Sequence, residues 1–113
     1  MPMSMTIKTP REFFEKALPS RFDPSKAEGL EAVIQMNIIG PKGGDWTITI
    51  KNQKMEVKQG IHPSPEIAVK IVDTDFVDLI NRKQSAMTMF MSGKIQFKGS
   101  LALGLRLIDA GII

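Results

Sequence analysis

The chain has 113 residues and a mass of 12.5 kDa, with 15 basic and 12 acidic side chains and a formal net charge of +3. A chain of this size builds one hydrophobic core, so residues 1–113 are expected to form a single domain; 42% apolar and 24% charged residues exclude wholesale disorder. With no cysteine, no tyrosine and one histidine, disulfides, thiolate metal centres and cysteine nucleophiles are excluded, and acid–base chemistry is left to carboxylates and lysines.

The first predicted helix covers residues 10–18. Thr9 supplies a cap, Pro10 suits the first helical position, and Glu12 completes a capping box. Phe13, Phe14, Ala17 and Leu18 form its apolar stripe, and Pro19 is expected to end it. Residues 20–28 read as a loop with room for a short helical turn. Strands follow at 30–39, 46–50 and around Met55 and Val57, with Ile34, Met36 and Ile38, then Trp46, Ile48 and Ile50, on one face. Gly40–Asp45 and Asn52-Gln53 are the turns of this antiparallel meander. Pro63 and Pro65 make residues 60–65 a crossover loop, and Ile67, Val69 and Ile71 mark a fourth strand. A short helix capped by Asp73 or Thr74 then runs to about Asn81, with Phe76, Leu79 and Ile80 as its stripe. Residues 85–93 alternate like a strand, yet Ser85 is a good N-cap and Gly93 a good C-terminal stop, so a helix is predicted with Met87, Phe90 and Met91 on one face. Ile95 and Phe97 point inward from a fifth strand. Ser100 caps a last helix running to about Ala110.

Little in this chain has the pattern of a catalytic or metal site. His62 stands alone in a proline-rich loop, and Asp73, Asp75 and Asp78 are accounted for by capping and the helix dipole, so neither a metal nor a cofactor is expected. Gly40–Gly44 joins two antiparallel strands and opens no helix, unlike a phosphate loop. No Gly-x-Ser-x-Gly elbow is present. The basic residues are scattered, the longest cluster being Arg82-Lys83, which excludes nucleic acid as the expected partner and leaves transient contact with an anionic membrane surface. The opening MPMSMTIKTP has no basic stretch followed by an apolar run, so a cytoplasmic location is expected.

Two features point to an apolar ligand. Met36, Met55, Met87, Met89 and Met91 supply flexible thioethers, which suit surfaces that fit variable apolar partners. The last helix has only Arg106 and Asp109 as charges, while Leu101, Leu103, Leu105, Leu107 and Ile108 occupy most of its circumference. A small domain cannot bury such a helix on every side, so a partner subunit or a lipid-like ligand has to cover part of it.

Gly-Gly-Asp-Trp-Thr-Ile-Thr-Ile-Lys-Asn at residues 43–52, Asp73-Thr74-Asp75-Phe76 with Leu79, and Phe90 through Gly99 into Leu103 and Leu107 resemble the sterol carrier protein type-2 family, the non-specific lipid-transfer protein domain. The resemblance implies an α+β fold: a five-stranded, mostly antiparallel sheet covered by helices in the order α-β-β-β-crossover-β-α-α-β-α, with a hydrophobic tunnel between sheet and helices. It implies a fatty acid, fatty acyl-CoA or other lipid as ligand, bound without catalysis. The implied lining is Met36, Trp46, Ile48, Ile50, Phe76, Ile80, Met87, Phe90, Met91, Leu101, Leu103, Leu105 and Leu107. The ending of the chain departs from the family's eukaryotic pattern, which favours an acyl or isoprenoid-type ligand over a sterol. Entry of the ligand requires one of the last two helices to shift, and Gly93, Gly99, Gly104 and Gly111 put backbone freedom near them. Arg82, Lys83 and Lys94 are within sequence reach of a charged headgroup. The competing expectation is an interaction domain that forms a homodimer, or docks on a lipid-metabolising enzyme, through its apolar last helix.

Overall fold

The computed structural model describes residues 7–110, apart from the side chain of Ile108. Its centre is a five-stranded sheet in the order β3-β2-β1-β4-β5, with β1 at Ala32–Ile39, β2 at Gly44–Lys51, β3 at Lys54–Gln59, β4 at Ile67–Val72 and β5 at Ile95–Gly99. Three pairings are antiparallel, and β1 with β4 is parallel. The sheet is open and mixed, as an α+β fold requires. Asn52 and Gln53 both take positive φ, at 53° and 60°, the conformation of a two-residue hairpin whose twist matches its strands.

Side-chain alternation sorts the sheet into two faces. The registers Ile34–Ile48, Met36–Trp46, Ile48–Val57, Met36–Val69 and Val69–Phe97 bring the apolar residues of all five strands onto one side. The opposite side is mostly polar, and one buried polar residue organises it. Gln35 is buried there because the crossover loop passes over it. Its amide NH2 donates to the carbonyls of Trp46 and Gly60, at 3.2 and 3.1 Å, and its carbonyl accepts from the His62 backbone N–H at 2.7 Å. That one side chain satisfies the loop that carries the chain from edge strand β3 back to the centre.

Four helical stretches cover the apolar face. The first, α1 (residues 10–21), differs from expectation because Pro19 does not end it. An α-helical turn at Pro10–Glu12 passes into a π-helical stretch at Phe13–Ala17 and then into an α-helical turn at Leu18–Arg21. The Leu18 N–H reaches back five residues to the Phe13 carbonyl. This wider turn lets Pro19 sit at the start of a fresh α-helical turn, where its missing N–H has no bond to lose. A 3-10 turn at Pro24–Ala27 follows. The second helix, α2, spans Asp73–Ile80. Asp73 is its first residue rather than its cap: the buried carboxylate accepts from the backbone N–H groups of Thr74 and Lys42, at 2.8 and 3.0 Å, and so ties the β1–β2 loop to the helix start. The third, α3, spans Ala86–Met91, capped by Ser85 and stopped by Gly93 at φ 82°, as expected. The last, α4, spans Leu101–Asp109, with the Ser100 hydroxyl accepting from the Leu103 N–H. Among the described residues, no helix is long and apolar enough to cross a membrane.

Candidate functional site

The expected apolar stripe of α3 is inverted. Met89 is the fully buried residue, whereas Met87, Phe90 and Met91 are 60%, 43% and 77% exposed. In α4, Leu107 is buried and Leu103 half-buried against the core, yet Leu101 and Leu105 remain 59% and 50% exposed. The apolar surplus read from the sequence therefore emerges as a greasy rim on the surface, not as a large internal void.

That rim borders a cleft. Its floor is Met36, Val69 and Ile71 with Ile95 and Phe97 from edge strand β5; its walls are Phe76 and Leu79 of α2, Ala86, Met87 and Phe90 of α3, and Leu101, Gly104 and Leu105 of α4. Every lining residue is apolar. Gly104 sets the width, because a Cβ built there would stand 3.0–3.1 Å from the Phe97 ring. It is a packing contact rather than a hinge, and Gly111 lies outside the described residues. The volume of the cleft is about 90 Å3. Ligand sites commonly enclose roughly 300–1,000 Å3, so this is a narrow, partly open cleft, smaller than the expected tunnel.

A second, wider cavity of about 520 Å3, open to solvent on one side, lies toward β3, between α1 and the sheet, and is lined by Phe14, Pro19, Phe22, Trp46, Met55 and Val57, with Glu15 and Gln59 at its polar margin. Trp46 belongs here rather than to the cleft. Phe14 lies nearly parallel to Trp46, with ring centroids 5.0 Å apart, and nearly parallel to Phe76 at 5.4 Å. The Arg11 guanidinium sits over the Trp46 ring at 5.6 Å, and its ion pair with Glu15 (3.1 Å) keeps it in place.

Six of the residues expected to line the site thus meet at the cleft: Met36, Phe76, Met87, Phe90, Leu101 and Leu105. Ile48, Ile50 and Leu107 are in the packed core, Ile80 lines a hollow beside Arg21 and Arg82, and Met91 stands outside in solvent. Val69, Ile71, Ile95 and Phe97 were absent from the expected lining although their alternation already turned them to the right face. What alternation alone lacks is the strand order that brings β4 and β5 under α3 and α4.

Comparison with known proteins accounts for this arrangement. Residues 14–110 match the SCP-2 sterol transfer family. The chain belongs to that family. Hydroxysteroid dehydrogenase-like protein 2 of Mus musculus is 33% identical over 79 residues, which is 68% of this chain and only 16% of that protein. A double mutant of the sec-alkyl sulfatase PisA1, an enzyme known from Pseudomonas sp., superposes with a TM-score of 0.79 at 24% identity, covering 94% of this chain and 16% of the sulfatase. Palmitated SCP2L2 from Aedes aegypti superposes with a TM-score of 0.73 at 23% identity, covering 93% of each chain. The last two share the fold. The chain thus spans about a sixth of its larger relatives and nearly the whole of a small one. As a member of the SCP-2 family it has a lipid-binding fold, and among the described residues no cluster of three or more acidic or histidine side chains is placed to hold a metal.

Proposed function

We propose that this SCP-2 domain binds a long-chain lipid (a fatty acid, fatty acyl-CoA or isoprenoid-type molecule) in the cleft between β4, β5 and helices α3 and α4. It carries or presents that lipid in the cytoplasm without chemistry. The observation that carries the reading is the continuity of exposed Met87, Phe90, Leu101 and Leu105 with the wholly apolar cleft beneath them. Contiguous apolar surface of this kind on a small domain marks a binding site. The absence of any titratable side chain from the cleft lining argues for holding over reacting. Palmitate on the similarly folded SCP2L2 supports an acyl chain as cargo.

Each buried methylene contributes about 0.8 kcal/mol, so a 16-carbon chain would gain on the order of 10 kcal/mol before ordering costs, enough for micromolar binding. The cleft has to widen to accept it. The walls that do so are the flexible Met87 and the half-exposed Leu101 and Leu105, which have few neighbours to lose. Between Asp78 and Asp109 the chain carries Arg82, Lys83, Lys94, Lys98 and Arg106 and no acidic residue. The segment that forms the cleft mouth is therefore positive, which favours loading at an anionic membrane surface, with salt weakening the attraction. Delipidated protein is expected to take up a fluorescent fatty acid saturably, and native mass spectrometry of freshly purified protein to show bound lipid. Failure of both defeats the reading.

A second reading rests on the same exposed leucines. Here α4 docks on a twin or on a lipid-metabolising enzyme, in line with relatives in which a similar stretch is one part of a larger protein. Sedimentation of lipid-free protein separates the two: a tight dimer that Leu105→Ser dissolves, without lipid uptake by the monomer, favours docking.

A further inference from the structure

The cleft and the Trp46 cavity are separated by a single partition. Phe76 lines the cleft and Phe14 lines the cavity, and these two rings lie nearly parallel with centroids 5.4 Å apart. Beneath them, Met36 of the cleft floor is the cross-strand partner of Trp46 of the cavity. Both spaces thus lie over the same face of the sheet and share one wall, the stacked and buried rings of Phe14 and Phe76.

Phe14 lies in the π-helical stretch of α1. A π-helical turn differs from an α-helical one by one residue of register, and resolving it rotates the side chains that it carries. The cleft is small: a water's share of liquid volume is about 30 Å3, so 90 Å3 holds about three groups of that size. The cavity beyond Phe14 is, at about 520 Å3, within the range of known ligand sites. Its aromatic and aliphatic walls suit methylenes, and the Glu15 and Gln59 margin does not suit a buried carboxylate end.

We propose that the Trp46 cavity is a second compartment of the lipid site, taking the distal methylenes of acyl chains too long for the cleft, and that the stacked Phe76 and Phe14 rings are the door between the two compartments, with Phe14 its far leaf. Chain length is then read at Phe14: short chains stay in the cleft, and long ones displace the ring and reach Trp46. This inference rests on the carrier reading above and adds to it a site and a selectivity.

Trp46 is the one tryptophan of the chain, so its emission reports the far compartment directly. Delipidated protein is titrated with saturated fatty acids from 8 to 18 carbons, with binding followed by calorimetry and Trp46 emission recorded in parallel. Binding is expected at every length, whereas emission changes only above a threshold length. In Phe14→Ala the threshold falls and long-chain affinity rises several-fold, while the shortest chains bind as before. Phe14→Leu keeps more of the packing and is expected to fall between, so the inference does not depend on the alanine variant folding. Emission that stays constant through 18 carbons while calorimetry shows binding overturns the two-compartment site and leaves the carrier reading intact. Emission that responds equally at 8 and 18 carbons overturns it as well. Absence of binding at every length defeats the carrier reading, and this inference with it.

Discussion

Helices α1 and α4 lie on the same face of the same sheet, and their apolar residues meet opposite fates. In α1, Phe13, Phe14 and Leu18 are buried, and Phe13 packs edge-on against both Phe14 and Phe76. In α4, Leu107 is buried while Leu101 and Leu105 stay half in water. The difference lies in what each helix covers. Helix α1 sets Phe14 between Trp46 of β2 and Phe76 of α2, which supply rings on either side of it. Helix α4 faces edge strand β5, which has no sixth strand beyond it, and Gly104 draws it close to Phe97 at only one point. One helix spends its apolar surface on the fold; the other leaves part of it for a ligand.

The sharpest way to break that comparison is to truncate one residue on each side. Leu18→Ala is expected to cost about 3–5 kcal/mol in urea denaturation, a large share of the stability of a domain this size, because it empties a fully buried site. Leu101→Ser, on an exposed site, is expected to change stability by no more than about 0.5 kcal/mol. Its effect belongs to the ligand: fatty-acid affinity should fall about tenfold, the equivalent of roughly two methylenes left in water. Equal stability losses for the two variants would erase the distinction.

Gln35→Leu tests the other face of the sheet. It leaves the His62 N–H and the Trp46 carbonyl without a side-chain partner, while the Gly60 carbonyl keeps only the Thr47 hydroxyl, at a cost of about 1–3 kcal/mol. Hydrogen exchange of the His62 amide should quicken, while lipid affinity holds. Gly104→Ala is a subtler probe of the cleft. The helix gains about 1 kcal/mol of intrinsic propensity, offset by a Cβ pressed on the Phe97 ring. Stability is expected to stay near that of the parent, while fatty-acid binding weakens several-fold as Phe97 moves; unchanged binding would mean that α4 does not set the width of the cleft.

The smallest effect is electrostatic and remote from the cleft. The Ser25 hydroxyl, and then the Ser25 backbone N–H, donate to the Asp23 carboxylate and, with help from nearby Lys26, hold its pKa below the ordinary value. A carboxyl whose folded pKa is depressed adds stability above its unfolded pKa and loses that stability as pH falls through the folded one. Asp23 is exposed, so the contribution is small. An NMR titration should find its midpoint below that of a free aspartate, and Ser25→Ala should move it back up.

Much of the fold was legible because its signals are local. Alternation along each strand, the Asn52-Gln53 turn, the Ser85 cap and the Gly93 stop depend on side chains a few residues apart, and each took the form that its chemistry requires. Pro19 misled because a wider turn just before it, held by the packing of Phe13 and Phe14, absorbed its missing donor. Asp73 misled in a related way. Its local chemistry suits a cap, yet its carboxylate was drawn to the N–H of Lys42, 31 residues away, once β4 had come to lie beside β1.

By itself, then, the sequence determined the elements, their inward faces and the presence of more apolar surface than a small core can absorb, since these follow from residue spacing and composition. Only the tertiary structure decided where the surplus lies. Strand order put β4 and β5 beneath α3 and α4, and it sent Trp46 to the far side of Phe14. Met89, rather than its neighbours, faces inward because of how α3 is set down on the sheet. The reason is physical: periodicity fixes the direction in which a side chain points relative to its own element, whereas burial depends on which other element arrives to cover it.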